Sequence, residues 1–163
     1  MYNLTAEFNK CKSMLDAIEV PYDKGVSVSV NTRAHSRFGQ TRKRQGIYSI
    51  NINVDLLNER NPVSALHDTI IHELLHTCPD CINHGENWKR WALRVNRKYG
   101  MNIKRTSSVQ EAGLEVFTTK KANWIVTCDK CGHEYIYQRA GKVVQNPERF
   151  KCGCGGSLTV KHG

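Results

Sequence analysis

The sequence predicts an α+β fold: a domain of helices and a small sheet over residues 1–105, a linker at 106–121, and a small all-β module over 122–163. Three observations predict it. Three stretches carry apolar residues at helical spacing, two carry them in alternation, and the C-terminal part has short strand-like runs beside close pairs of cysteine.

Leu4, Phe8, Cys11, Leu15 and Ile18 recur at helical spacing and predict a first helix over Leu4 to Val20, stopped by Pro21. Cys11 lies in that stripe and reads as a small core residue. Val26, Val28 and Val30 alternate with serines, which predicts a half-buried strand. Ile47 to Val54 alternates in the same way. Between them, Arg33 to Gly46 is polar and basic and reads as a loop or hairpin. Asn61-Pro62 opens a second helix, with proline at an early position, and Pro79 ends it near Thr77. Glu86 to Tyr99 is a third helix with Gly100 as its stop. Trp88, Trp91, Ala92, Val95 and Tyr99 form its apolar face, and Arg90, Arg94, Arg97 and Lys98 the opposite one. Thr106 to Lys121 shows only weak periodicity. Short strands are expected at Trp124 to Thr127, Glu134 to Gln138 and Leu158 to Lys161.

Hydrophobic residues at 39% and charged residues at 24% fit a folded chain and exclude a disordered one. No apolar run reaches the roughly 20 residues of a membrane helix, and Met1 to Lys10 lacks the apolar stretch of a secretory signal. The expected location is the cytoplasm, or the nucleus of a cell that has one, with no membrane partner. Seven cysteines without an export signal argue against a disulfide framework.

His72-Glu73-Leu74-Leu75-His76 is HExxH. On a helix, positions i and i+4 share a face, so both imidazoles can reach one metal ion. Glu73 then stands beside the metal, placed to take a proton from a zinc-bound water. A hydrolytic zinc needs a third protein ligand and an open position. His84 is the best third ligand. The turn formers at 77–83 let the chain fold back, and Gly85 relaxes the backbone beside it. Pro79 and Ile82 stand where a metzincin would have glycine and histidine. His67 lies outside the motif and reads as structural. Cys78 and Cys81 form a CxxC within the turn; ligation, a redox pair and simple packing are all open to them, and packing is favoured in a reducing compartment.

The run from His72 to His76, followed by His84-Gly85 and Trp88, resembles the HExxH…HGxxW pattern of the SprT-like family, whose eukaryotic members include Spartan. The similarity extends to the first helix, the basic segment with Arg37-Phe38-Gly39, and the strand ahead of the metal helix. It implies a minimal zincin-like metalloprotease domain, a small mixed sheet backed by helices. It also implies zinc-dependent protein hydrolysis, with DNA-crosslinked proteins as substrates in Spartan-like members.

Cys128-Asp129-Lys130-Cys131 and Cys152-Gly153-Cys154 supply four thiolates for a closed structural zinc site, giving a zinc ribbon. Ribbons of the family carry CxxC in both halves, so the CxC here departs from their pattern. His133 is a reserve ligand, and His162 is expected to fray. The expected cofactor is therefore Zn²⁺ at two sites, one catalytic and one structural.

The formal net charge of +9 favours a polyanionic partner, and DNA is the expected one beside a protein substrate. Residues 1–105 hold 16 Lys and Arg against 10 Asp and Glu, and residues 106–163 hold 8 against 5. Four zinc-bound thiolates bring the ribbon close to neutrality, so the first domain is the better DNA surface. The candidate contacts are Arg37, Arg42, Lys43, Arg44, Arg90, Arg94, Arg97 and Lys98. The sequence thus reads as a DNA-associated zinc metalloendopeptidase. The competing readings are a zinc-stabilised DNA-binding or adaptor protein with a silent protease fold, which the retention of Glu73 argues against, and a peptidase with another target.

Overall fold

All three apolar helical patterns fold as helices in the structure, a computed structural model that describes residues 1–34, 36–118 and 123–162. Helix α1 spans Leu4–Asp16, and the Asn3 side chain caps it by accepting from the Ala6 amide. It ends before Val20. Ile18 and Val20 are still buried, but the chain reaches them through a turn in which Glu19 takes a left-handed φ of 54°. Apolar periodicity alone had carried the helix too far.

Strand β1 is Ser27–Asn31, β2 is Gly39–Arg44 and β3 is Ile47–Asn53. Their order is β1-β3-β2, with β1 parallel and β2 antiparallel to β3, so the sheet is mixed. β2 and β3 form a hairpin through Gln45-Gly46, both at positive φ (47° and 82°). That pairing of left-handed residues is the tight turn whose twist matches the strands, and glycine carries it without strain. The basic segment thus supplies one arm of a hairpin, Gly39–Arg44, and its turn. Of the valines expected to alternate inward, Val26 is buried, but Val30 near the end of the edge strand β1 is 43% exposed.

Helix α2, Val63–Leu75, is apolar nearly all round: Leu66, Ile70, Ile71, Leu74 and Leu75 are fully enclosed. It packs against α1, α3, β2 and β3 and is the central element of the first core. Helix α3, Glu86–Tyr99, is amphipathic and buries Trp88, Ala92 and Val95. Gly100 ends it in the left-handed conformation (φ 64°), where a Cβ would be strained.

The chain divides into two compact units, Met1–Thr118 and Thr119–Gly163. Residues 106–118, weakly periodic in sequence, fall inside the first. Main-chain bonds hold them, together with Ala112 and Leu114, which pack against the first core. The buried Asn61 donates to the Val116 carbonyl and accepts from the Glu115 and Val116 amides, while the Thr118 amide donates to Asp55. The Phe117 ring meets Phe38 edge-on at 5.1 Å. Residues 119–121 of the expected linker and residue 122 of the expected β module lie outside the described residues.

In the second unit β4 (Trp124–Cys128), β5 (Glu134–Tyr137) and β6 (Leu158–His162) form an antiparallel sheet of order β5-β4-β6. Val126, Cys128, Val144, Cys152 and Leu158 are its buried residues. His162 pairs with Trp124 in the ladder, ring centroids 4.4 Å apart, so the expected fraying is replaced by a paired strand end.

Asn61→Ala should therefore cost about 1–3 kcal/mol, the penalty for main-chain groups left without partners. Urea unfolding measures the loss, and limited trypsin digestion should show faster cleavage after Arg105 as 106–118 is released.

Candidate functional site

His72 and His76 lie one turn apart on the last part of α2, and α2 stops where the site needs a bend. Pro79 cannot continue the helix, and Asp80 turns the chain at a left-handed φ of 56°. The Asn83 side chain then accepts from the Gly85 amide, a local turn that presents His84 at the start of α3. Gly85 has an ordinary φ of −71°, so its backbone freedom is not what this bend uses.

The three imidazoles converge. His72 Nε2 lies 3.3 Å from His76 Nε2 and 3.0 Å from His84 Nε2, and the three ligand atoms all fall within 4.8 Å of one another. Nitrogens bound tetrahedrally at metal–nitrogen distances of 2.0–2.1 Å would stand about 3.4 Å apart, so the spacing fits one shared ion. Tautomers add a stronger argument. His72 Nδ1 meets the Lys104 carbonyl at 2.9 Å, and His76 Nδ1 meets the Cys81 carbonyl at 2.9 Å. A carbonyl only accepts, so each Nδ1 carries the hydrogen and each Nε2 presents a bare lone pair. Burial, with His76 and His84 nearby, pushes His72 down to about 4, and burial lowers His84 as well. The bare lone pairs of His72 and His76, aimed at each other, repel, and a cation between them removes the repulsion. Trp88 packs its ring against all three, with centroids 4.9 Å from His72, 5.7 Å from His76 and 4.6 Å from His84.

Glu73 is 7% exposed. Its carboxylate accepts from the Thr41 hydroxyl at 2.7 Å. Burial pushes its carboxyl above the usual carboxylate range, while the Thr41 bond and the nearby His76 and Arg37 act the other way. A cavity of about 260 Å³ opens beside Glu73 and His72, walled by Arg37-Phe38-Gly39, by 102–107 and by Glu111 and Ala112.

The four ribbon cysteines also converge within 4.8 Å, and both cysteines of the tight CxC reach the cluster. Cys128 Sγ is 3.5 Å from Cys154 Sγ, and Cys131 Sγ is 3.6 Å from Cys152 Sγ. Sulfurs bound tetrahedrally to zinc would be about 3.8 Å apart. The Cys154 amide, and then the Tyr135 hydroxyl, bring the Cys152 thiol down to about 6. A Cβ on Gly156 would lie 2.5 Å from Cys128 Sγ, so only hydrogen fits there. His133 meets the Tyr135 ring edge-on and stands outside the cluster.

Other residues singled out in sequence fall elsewhere. His67 pairs with Glu7 across α1 and α2, a structural bond. Cys78 and Cys81 are buried thiols, and burial pushes Cys78 up to about 12, which suits packing rather than reactivity. Arg90, Arg94, Arg97 and Lys98 line an open groove on α3 together with Ala17, Ile18, Glu19 and Leu93. Arg42 and Arg44 are exposed on β2, Lys43 lies over the Tyr48 ring, and Arg37 is at the cavity beside Glu73. Sequence reasoning missed the Lys104 and Cys81 carbonyls, which no side-chain pattern announces. It also missed Thr41, which a polar strand concealed.

The model of the SprT-like family matches residues 5–107. No curated protein matches the chain.

Metal analysis of the purified protein is expected to give two equivalents per chain. His72→Ala should remove one of them and Cys128→Ser the other. A wild-type protein with a single equivalent would rule out the paired centres.

Proposed function

The chain belongs to the SprT-like family, and from that premise we propose that it is a zinc-dependent metalloendopeptidase acting on proteins held on DNA. One observation carries the peptidase reading: three histidine nitrogens converge beside a buried carboxylate at the mouth of a cavity.

His72, His76 and His84 would hold the catalytic zinc, whose chemistry is to polarise a water molecule and the scissile carbonyl. Glu73 accepts the proton of the attacking water and passes a proton to the leaving amine. Its enclosed position raises the basicity of the carboxyl. The cavity walls at Phe38-Gly39 and 102–107 receive the polypeptide beside the reacting bond. Cys128, Cys131, Cys152 and Cys154 would hold a second zinc in a closed site, which folds the small β unit.

The formal net charge of +9 supports a DNA partner. So does the α3 groove, where four exposed cations line one surface and the Arg90 and Arg94 guanidinium groups lie 5.7 and 5.4 Å from the Trp91 ring. Arg42 and Arg44 add positive charge on β2.

Glu73→Gln should leave the fold and metal content intact and lower hydrolysis of a loosely folded basic protein by about a hundred- to ten-thousandfold. Activity that is lost on chelation yet survives this substitution would place the base elsewhere. If the wild type cleaves nothing, with or without single-stranded DNA, the adaptor reading stands instead. DNA affinity should fall roughly a thousandfold between about 50 and 200 mM salt. Arg94→Glu with Arg97→Glu, and Arg42→Glu with Arg44→Glu, should each weaken it in a fluorescence-anisotropy titration without changing metal content.

A further inference from the structure

We propose that Gly39 and Thr41 of strand β2 are positioning residues that fix the Glu73 carboxylate in one rotamer, Thr41 by a hydrogen bond and Gly39 by leaving the space the carboxylate fills. The role in turnover rests on the peptidase reading above; the geometric claim does not.

The two residues stand two apart on a strand, so they share a face. Their cross-strand partners are Ile52 and Ile50, both fully buried. That register pins the inner face of β2 against helix α2, while Arg42 and Arg44 take the alternate positions.

Thr41 Oγ1 lies 2.7 Å from Glu73 Oε2 and 2.9 Å from the Glu73 main-chain carbonyl. One hydroxyl hydrogen serves one acceptor at a time. The carbonyl already accepts from the His76 amide at 3.2 Å, and a bond to a carboxylate is the shorter and stronger kind. The hydroxyl therefore belongs to Oε2, and Oε1 is the oxygen left to take a proton.

Gly39 guards that second oxygen. A Cβ at position 39 would lie 2.7 Å from Glu73 Cγ, 2.8 Å from Oε1 and 3.0 Å from the Thr69 methyl carbon. Gly39 is not among the glycines at positive φ. Its reason to be glycine is therefore steric. Any side chain there would push the reacting oxygen from its place.

The test uses the full-length, metal-loaded protein and compares Thr41→Val, Thr41→Ser and Gly39→Ala with the wild type. Crystal structures report the Glu73 rotamer, and steady-state cleavage reports kcat and KM separately. Thr41→Val keeps the size and β preference of threonine but has no hydroxyl. It should release the Glu73 side chain and lower kcat by about 10- to 100-fold with little change in KM, the scale of a misplaced reacting group. Thr41→Ser restores the hydroxyl and should recover the rotamer and most of kcat. Gly39→Ala should displace Oε1 and lower kcat with Thr41 intact; should it unfold the protein, the threonine pair still decides. An unmoved Glu73 and an unchanged kcat in Thr41→Val would overturn the proposal. A wild type without cleavage would instead remove the peptidase reading, while the rotamer comparison would still judge the clamp.

Discussion

Bare imidazole lone pairs directed at one another repel, and the fold of the first unit is built to hold those of His72 and His76 together, with His84 beside them, all the same. Two main-chain carbonyls, from Lys104 and Cys81, set which nitrogen of His72 and His76 is left bare. An indole packed on all three rings keeps them from rotating away. None of these restraints can be released singly. The Lys104 carbonyl depends on the chain after α3 returning to α2, and the Cys81 carbonyl depends on the turn that follows Pro79. The rest of the unit follows from this demand, because helix α2 must be immobile for the nitrogens to stay close. Its apolar girth, enclosed by α1, α3 and the sheet, supplies that rigidity.

The same burial creates a second tension. Glu73 stands on the enclosed part of α2, where a charged carboxylate is costly unless something bonds it. Strand β2 answers with a hydroxyl and an open space. Helix and strand thus meet at a polar contact.

Much of this was legible in the sequence because it rests on side chains at regular intervals. The apolar stripes of α2 and α3, Gly100 and the HExxH spacing each state a local rule, and the structure follows it. The convergence of the three histidines and of the four cysteines could be read from residue type and spacing, even in the tight second cysteine pair. What could not be read is carried by main chain or by polar residues. Gly39, Thr41 and Lys43 show no apolar alternation, so nothing in their order reveals which face of β2 meets α2. Ile18 and Val20 prolong an apolar rhythm after the helix has stopped, because burial in a turn leaves the same mark as burial on a helix.

Asn61 joins the ends of this reasoning. Its carboxamide holds residues 115 and 116 by their backbone atoms, so any residue but proline can make these bonds. Sequence similarity to the family ends at residue 107, whereas the packed body ends at Thr118. A boundary drawn by resemblance would cut through the wall of the cavity. For anyone recombining these modules, the residues from 107 to Thr118 go with the first unit in any chimera.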